Sequence, residues 1–167
     1  MKIAIYPGSF DPVTTGHLNI IERASKIFDK VIVCVMVNAT KKPMFTREER
    51  VDLLRRVTGR LPNVEIDSSG ELLAEYAKRR GECVIVKGLR AGSDFEYEFQ
   101  MALINRKINP ELDTMFLTAE HQYTYLSSST VKELGYYNVE LKDFLPEQII
   151  PDFKERISEL RQGGNPQ

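Results

Sequence analysis

The segment at residues 6–17, Tyr-Pro-Gly-Ser-Phe-Asp-Pro-Val-Thr-Thr-Gly-His, brings glycines, hydroxyl groups and a histidine together. It follows a short apolar run and precedes an amphipathic stretch. This order predicts a strand, a loop and a helix that begins near Gly16 and His17. The first N–H groups of a helix are unpaired and carry about half a positive charge, which favours phosphate. A histidine there can donate a hydrogen bond to a phosphoryl oxygen.

A tight strand–helix turn with a surface histidine is the simpler explanation of a Gly-His pair alone. Here Gly8, Ser9, Gly16 and His17 all fall in one loop, and this combination favours a phosphate site. Asp11, which precedes a proline, is expected only to fix the loop.

Further cationic side chains follow the later predicted strands, at Lys41, Lys87 and Arg90. The glycine after Lys87 would let the backbone approach a ligand closely, and Arg90 can bind phosphate oxygens bidentately. Solvated side chains at strand ends are the alternative. The formal net charge of the chain is only −1, so four potential cations, with His17, indicate a local site for several phosphates.

Serines at 127–129 precede another helix-like stretch. One serine would cap that helix, and three in succession also offer donors to a triphosphate. The acidic residues Asp94, Glu96 and Glu98 fall at the start of a predicted helix, where complementarity to the helix dipole is sufficient to explain them. His121 is predicted to be a loop residue without a catalytic role.

The composition excludes several classes of protein. A chain of 167 residues with 42% hydrophobic and 28% charged residues is typical of one soluble domain. The net charge of −1 argues against a nucleic-acid binder, and the longest apolar run, at 31–37, is far shorter than the roughly 20 residues that span a membrane. Without a secretory pattern, the chain is expected to be cytoplasmic. Cys34 and Cys83 are predicted to be buried thiols, and no metal-ligand cluster is visible.

Apolar runs alternate with stretches of helical periodicity along the chain. The runs predict strands at 2–6, 31–37, 64–67, 83–87 and 114–117, and the periodic stretches predict helices at 17–28, 47–58, 71–80, 94–108, 127–135 and 147–161. Repeated strand–helix order implies right-handed crossovers in a parallel sheet. We therefore predict one Rossmann-like α/β domain at 1–161, a five-stranded parallel sheet with helices on both faces, and a disordered tail at 162–167.

Ligands bind such sheets beyond the carboxyl ends of the strands. Each suspected block follows a predicted strand, which indicates that the blocks converge on one crevice. The sequence also predicts where two of the helices begin. Thr46 and Glu49 predict a capping box for the second helix, and Asp94 is predicted to cap the fourth.

The same blocks resemble a known family. The residues at 8–17 are similar to the T/H-x-G-H signature of the nucleotidyltransferase superfamily. Lys-Lys-Pro-Met-Phe-Thr at 41–46, Lys-Gly-Leu-Arg-Ala at 87–91 with Asp-Phe-Glu-Tyr-Glu at 94–98, and Ser-Ser-Ser-Thr-Val-Lys-Glu at 127–133 follow in the family's order and approximate spacing. As far as about Pro146, the chain resembles the bacterial phosphopantetheine adenylyltransferases.

The resemblance implies transfer of the adenylyl group of ATP to 4′-phosphopantetheine, which forms dephospho-coenzyme A and releases pyrophosphate. It assigns the acceptor to Ser9, Lys41, Leu73 and Lys87, and catalysis to Ser9, His17, Lys41 and Arg90. It places ATP on Ser9, Phe10, His17, Gly88, Leu89, Arg90, Glu98, Tyr123, Thr124, Tyr125, Leu126, Ser127, Ser128 and Ser129. It also implies Mg²⁺ carried with ATP, a homohexamer, and inhibition by coenzyme A.

Two residues depart from the family pattern. Ser9 stands where some relatives have threonine, which keeps the hydroxyl, and Lys87 stands where arginine is usual, which loses the planar phosphate contact. Two alternatives remain. One is an adenylyl- or cytidylyltransferase with another acceptor, such as nicotinate or nicotinamide mononucleotide or an alcohol phosphate. The other is a non-catalytic nucleotide sensor on the same fold.

Overall fold

The structure is a computed structural model that describes residues 1–38, 40 and 42–163. It contains a parallel sheet whose strands are Ile3–Gly8 (β1), Lys30–Met36 (β2), Val64–Ser69 (β3), Val84–Leu89 (β4) and Asp113–Thr118 (β5). The α-helices are Thr15–Ile27 (α1), Arg47–Thr58 (α2), Leu73–Arg80 (α3), Gly92–Ile108 (α4), Ser128–Tyr136 (α5) and Ile150–Gly163 (α6). Short 3₁₀ turns cover His121–Tyr123 and Glu147–Ile149. The predicted five-stranded parallel sheet is confirmed.

The strand order is β3-β2-β1-β4-β5. The chain first builds outward from β1 through β2 to β3, and then returns to place β4 on the other side of β1. The order therefore reverses between β1 and β4, and in open α/β sheets a crevice forms at the carboxyl ends of the strands at such a point.

The sheet is covered on both faces, as the unbroken apolar runs predicted. Along β2, Val31 and Val33 pack into a core with Ile21 of α1, whereas Ile32 packs into a second core with Tyr76 of α3. Cys34 is fully buried, as expected, whereas Cys83 is only partly buried. Because alternate residues of a strand point to opposite faces, one short sequence serves two cores.

The residue that caps the helix agrees with the prediction for α2 and differs from it for α4. Thr46 caps α2, its hydroxyl accepting from the N–H of Glu49 while the Glu49 carboxylate accepts from the N–H of Thr46. Asp94 does not cap α4, because Ala91 occupies that position. Asp94 is the third residue of the helix, in its first turn, where its carboxylate accepts from the Arg90 guanidinium. A charge partner four residues upstream thus engages the side chain.

The carboxyl-terminal part of the chain is a helix that packs on α5. The predicted segment at 147–161 is a 3₁₀ turn followed by α6, whose Phe153 and Ile157 are buried. Of the tail predicted to be disordered, residues 162 and 163 belong to α6, and 164–167 lie outside the described residues. No helix in the described part of the chain is both long and apolar enough to span a membrane.

The packing of α5 on α6 depends on a glycine. A Cβ at Gly135 would lie 2.5 Å from Cε1 of Phe153, which is fully buried. We expect Gly135→Ala to lower the free energy of unfolding in urea by about 1–3 kcal/mol, because the added methyl forces the core apart. The control is Gly163→Ala, where the added Cβ meets nothing within 4 Å. Equal stability of both variants would contradict this account of the packing.

Candidate active site

A cavity of about 660 Å³ lies at the carboxyl ends of β1 and β4. The structure brings most of the predicted site residues together there: Ser9, Phe10, His17, Lys87, Gly88, Arg90, Glu98, Tyr123, Leu126, Ser127, Ser128 and Ser129. The predicted residues that do not line it are Leu73, Leu89, Thr124 and Tyr125. The prediction for Lys41 lies outside the described residues.

His17 is held by the start of the helix that it occupies. Thr14 caps α1, and its hydroxyl accepts from the N–H of His17. In return, Nδ1 of His17 lies 3.0 Å from the backbone nitrogen of Thr14. An N–H group can only donate, so Nδ1 is the acceptor and the proton of the neutral ring resides on Nε2. The capping box thus selects the tautomer.

The surroundings of His17 keep the ring neutral. Burial, followed by the positive charges of Arg90 and Lys87, lowers the pKa of His17 to about 4. The ring of Phe10 packs against the imidazole with 5.0 Å between ring centroids. The sequence counted His17 among four potential cations, and this is wrong at neutral pH. The residue is an uncharged hydrogen-bond donor in a cationic setting.

Two cations of the cavity, Lys87 and Arg90, are paired with carboxylates of α4. Nζ of Lys87 lies 3.1 Å from Oε1 of Glu98, and Nε of Arg90 lies 2.9 Å from Oδ2 of Asp94. Nη1 of Arg90 donates to the carbonyl of Leu126 at 2.8 Å. Asp94 and Glu98 therefore do more than complement the helix dipole, and all three nitrogens of the Arg90 guanidinium already donate to protein groups.

Asp11 joins segments that are far apart in sequence. Its carboxylate is buried and accepts from the backbone N–H groups of Met44 and Phe45, at 2.8 Å each. It also accepts from Nζ of Lys132 at 2.8 Å. The expectation that Asp11 fixes a loop is confirmed, and that loop is held to two other segments.

The serine run begins α5 at the edge of the cavity. The Ser127 hydroxyl caps the helix by accepting from the N–H of Thr130 at 3.1 Å. The Ser128 hydroxyl donates to the carbonyl of Pro12 at 2.8 Å. Because Gly16 and Ser129 both line the cavity, the amino-terminal ends of α1 and α5 meet there, and both favour an anion.

Sequence reasoning missed several lining residues. Tyr6 of β1 lines the cavity, where burial, and then the Glu98 charge, raises the pKa of its hydroxyl. Arg50 of α2 and Lys132 of α5 also line it. The prediction of Lys87 and Arg90 rests on their place at the end of an apolar strand. The same criterion cannot identify side chains that enter the cavity from within a helix.

Known proteins are similar in sequence to this chain over nearly its full length. Residues 5–134 match the model of the cytidylyltransferase-like family. A phosphopantetheine adenylyltransferase of Clostridium botulinum is 50% identical over 97% of this chain and 99% of its own length. Its Clostridium perfringens counterpart is 49% identical over 98% of this chain and 100% of its own length. The chain belongs to the phosphopantetheine adenylyltransferase family.

Solved structures support the fold of this family member. A Vibrio parahaemolyticus protein assigned as a nicotinate-nucleotide adenylyltransferase aligns with a TM-score of 0.69 and 18% identity, covering 93% of this chain and 96% of that one. The nicotinic acid mononucleotide adenylyltransferase of Plasmodium falciparum, complexed with NaAD, aligns at 0.63 and 14%, covering 96% of each chain. At these identities the likeness concerns the fold alone.

The low pKa of His17 predicts a pH-dependent stability. The unfolded chain takes up the His17 proton near pH 6.5, and the folded chain does so only near pH 4. As the pH falls from 6.5 to 4, this residue therefore lowers the free energy of unfolding. We expect His17→Gln to lose stability less steeply than the parent over this range in urea titrations.

The matched control for this titration is His121→Gln, which changes an exposed histidine. It should follow the parent's dependence on pH. A His17→Gln variant with the parent's slope would show that the folded ring takes up its proton as readily as the unfolded one.

Proposed function

We propose that this chain transfers the adenylyl group of ATP to the phosphate of 4′-phosphopantetheine, forming dephospho-coenzyme A and pyrophosphate. The observation that supports this most strongly is the meeting of two helix amino termini and the Nε2–H of His17 at one cavity. Lys87 and Arg90 line the same space. The names and near-complete coverage of the Clostridium relatives support the choice of acceptor.

The chemistry fits a site built from donors and cations. A phosphate oxygen of the acceptor forms a bond to the α-phosphorus of ATP, and the bond from that phosphorus to the bridging oxygen breaks. Pyrophosphate leaves with the electron pair. The attacking oxygen is already an anion, so the reaction needs alignment and charge stabilisation and no proton transfer. Nε2 of His17 supplies a donor that adds no repulsion to the nearby cations.

We assign separate groups of cavity residues to the two substrates. We assign ATP to Gly88, Arg90, Glu98 and the segment 123–129. We assign the acceptor to Ser9 and Lys87. For Lys41, Leu73, Leu89, Thr124 and Tyr125, the proposal rests on family resemblance. Leu73 lies at the first residue of α3, partly buried in the core on the other side of the sheet.

Mg²⁺ enters this proposal as part of the substrate MgATP. Among the described residues no three His, Cys, Asp or Glu side chains are grouped as metal ligands, and Asp94 and Glu98 are paired with cations. Mg²⁺ is then held by phosphate and water, as is usual for this ion. A cytoplasmic location and inhibition by coenzyme A are further proposals from the resemblance.

We also propose that the chain assembles as a homohexamer. In a single chain, helix α4 leaves several large apolar side chains exposed. They are Phe95, Tyr97, Phe99, Leu103, Ile104 and Ile108. Large exposed apolar patches mark surfaces that bind other proteins, and further copies of the chain are the natural partner. Sedimentation of the purified chain gives the copy number.

The decisive experiment measures pyrophosphate release from ATP with a panel of acceptors. We expect turnover with 4′-phosphopantetheine and none with nicotinamide mononucleotide, nicotinate mononucleotide or an alcohol phosphate. His17→Ala should remain folded and reduce kcat on the order of 10²–10³, because one transition-state donor is lost. Faster turnover with a mononucleotide would mean that the mononucleotide, and not 4′-phosphopantetheine, is the acceptor. ATP binding without turnover of any acceptor would favour a sensor.

Lys87 tests the acceptor side, at the position where the family resemblance leads us to expect arginine. Lys87→Ala should weaken 4′-phosphopantetheine binding by about 10- to 100-fold, since a charge-assisted contact is lost. ATP affinity should change less, and Lys87→Arg should be much milder than alanine. The control is Lys78→Ala on the exposed side of α3. If Lys87→Ala binds the acceptor as the parent does, the acceptor phosphate lies elsewhere.

A further inference from the structure

Arg50 is a buried cation that no carboxylate neutralises within the described residues. It lines the cavity, yet only 4% of its surface is exposed. Its Nη1 donates to the carbonyl of Ser9 at 2.9 Å, and its Nε donates to the carbonyl of Thr46 at 3.3 Å. Both partners are neutral backbone groups. In the described part of the chain no acidic side chain lies within ion-pair distance of the guanidinium.

This arrangement differs from that of the neighbouring cations. Lys87, Arg90 and Lys132 line the same cavity, and each is paired with a carboxylate, while Lys42, which also lines it, is exposed to solvent. An arginine cannot shed its proton to relieve the cost of burial. A buried charge that is retained without a counter-charge in the protein indicates that the counter-charge arrives with a ligand.

The remaining donors of Arg50 are suited to an anion. Nη2 donates to no side chain or carbonyl of the described residues, while Nη1 holds the loop that contains Ser9. A guanidinium presents its donors in a rigid plane, so Nε and Nη1 can bind backbone carbonyls while Nη2 donates to a phosphate. Fixing Nη1 on the Ser9 carbonyl thus orients Nη2 in advance.

The position of Arg50 selects between the two substrates. Helix α2 packs on β2 and β3, which lie on the opposite side of β1 from β4 and β5. The proposed nucleotide residues Arg90 and 127–129 lie beyond β4 and at the start of α5, whereas Arg50 contacts the carbonyl of Ser9, one of the two proposed acceptor residues. Met36 and Asn38, at the end of β2, line the cavity near Arg50's side of the sheet.

We propose that Arg50 is a substrate-binding residue whose guanidinium pairs with the phosphate of the acceptor. The inference rests on the proposed function, and it adds a residue that the sequence and the family resemblance did not assign. It also links acceptor binding to the loop of Ser9 and His17, because the same side chain contacts both the loop and the phosphate.

The test compares the acceptor with and without its phosphate. Titration calorimetry gives the affinities of 4′-phosphopantetheine, pantetheine and ATP for the parent, Arg50→Gln and Arg55→Gln. Glutamine keeps a neutral donor for the Ser9 carbonyl, and Arg55 is an exposed residue of the same helix. We expect Arg50→Gln to reduce the preference for the phosphorylated acceptor by about 10- to 100-fold. Pantetheine and ATP affinities should change little, and Arg55→Gln should match the parent.

Other results would overturn the inference in different ways. Equal weakening of 4′-phosphopantetheine and pantetheine would mean that Arg50 only positions the loop. A loss confined to ATP would place the guanidinium on the nucleotide. A parent that does not prefer the phosphorylated acceptor would refute the proposed function itself, and the parent alone reveals this. If Arg50→Gln does not fold, Arg50→Lys must still reduce the phosphate preference, since a lysine has no planar group that binds backbone carbonyls and a phosphate at once. An unchanged preference would refute the contact.

Discussion

The hydrogen bond from the Thr14 N–H to Nδ1 of His17 connects the fold to the chemistry of the cavity. It completes the cap of α1, so the same contact that begins the helix also sets the ring orientation. It leaves the proton on Nε2, and burial beside Arg90 and Lys87 keeps the ring neutral. A neutral donor can approach a phosphoryl oxygen without repelling the cations that line the same cavity.

Charge balance is the second constraint on this site. The cations of the cavity repel one another, yet they must be held close together before any ligand is present. In this chain Lys87, Arg90 and Lys132 are each balanced by a carboxylate of the protein. These pairs explain how a cationic cavity exists in a chain of net charge −1. Bound phosphates would compete with the same carboxylates, so binding exchanges one set of ion pairs for another.

Contacts between residues far apart in sequence hold the two sides of the cavity together. The carboxylate of Asp11 connects the first loop to the segment before α2 and to Lys132 of α5, a separation of 121 residues in sequence. The Ser128 hydroxyl binds the Pro12 carbonyl of the same loop. The loop after β1 is therefore the common support of both sides. Its displacement would alter the helix start, the histidine and the cation positions together.

Local sequence patterns were enough to predict the alternation of strands and helices, the parallel sheet, the capping box of Thr46 and the blocks that follow the strands. These features depend on residues close together in the chain, where apolar periodicity and capping residues act locally. The tertiary structure alone decided the strand order, the charge partners of Lys87 and Arg90, and the neutral state of His17. It also decided that Asp94 binds Arg90 and does not cap α4, and that Arg50 is buried at the cavity. Burial and ion pairing depend on which segments, distant in sequence, come into contact in the fold. No local sequence pattern predicts those contacts.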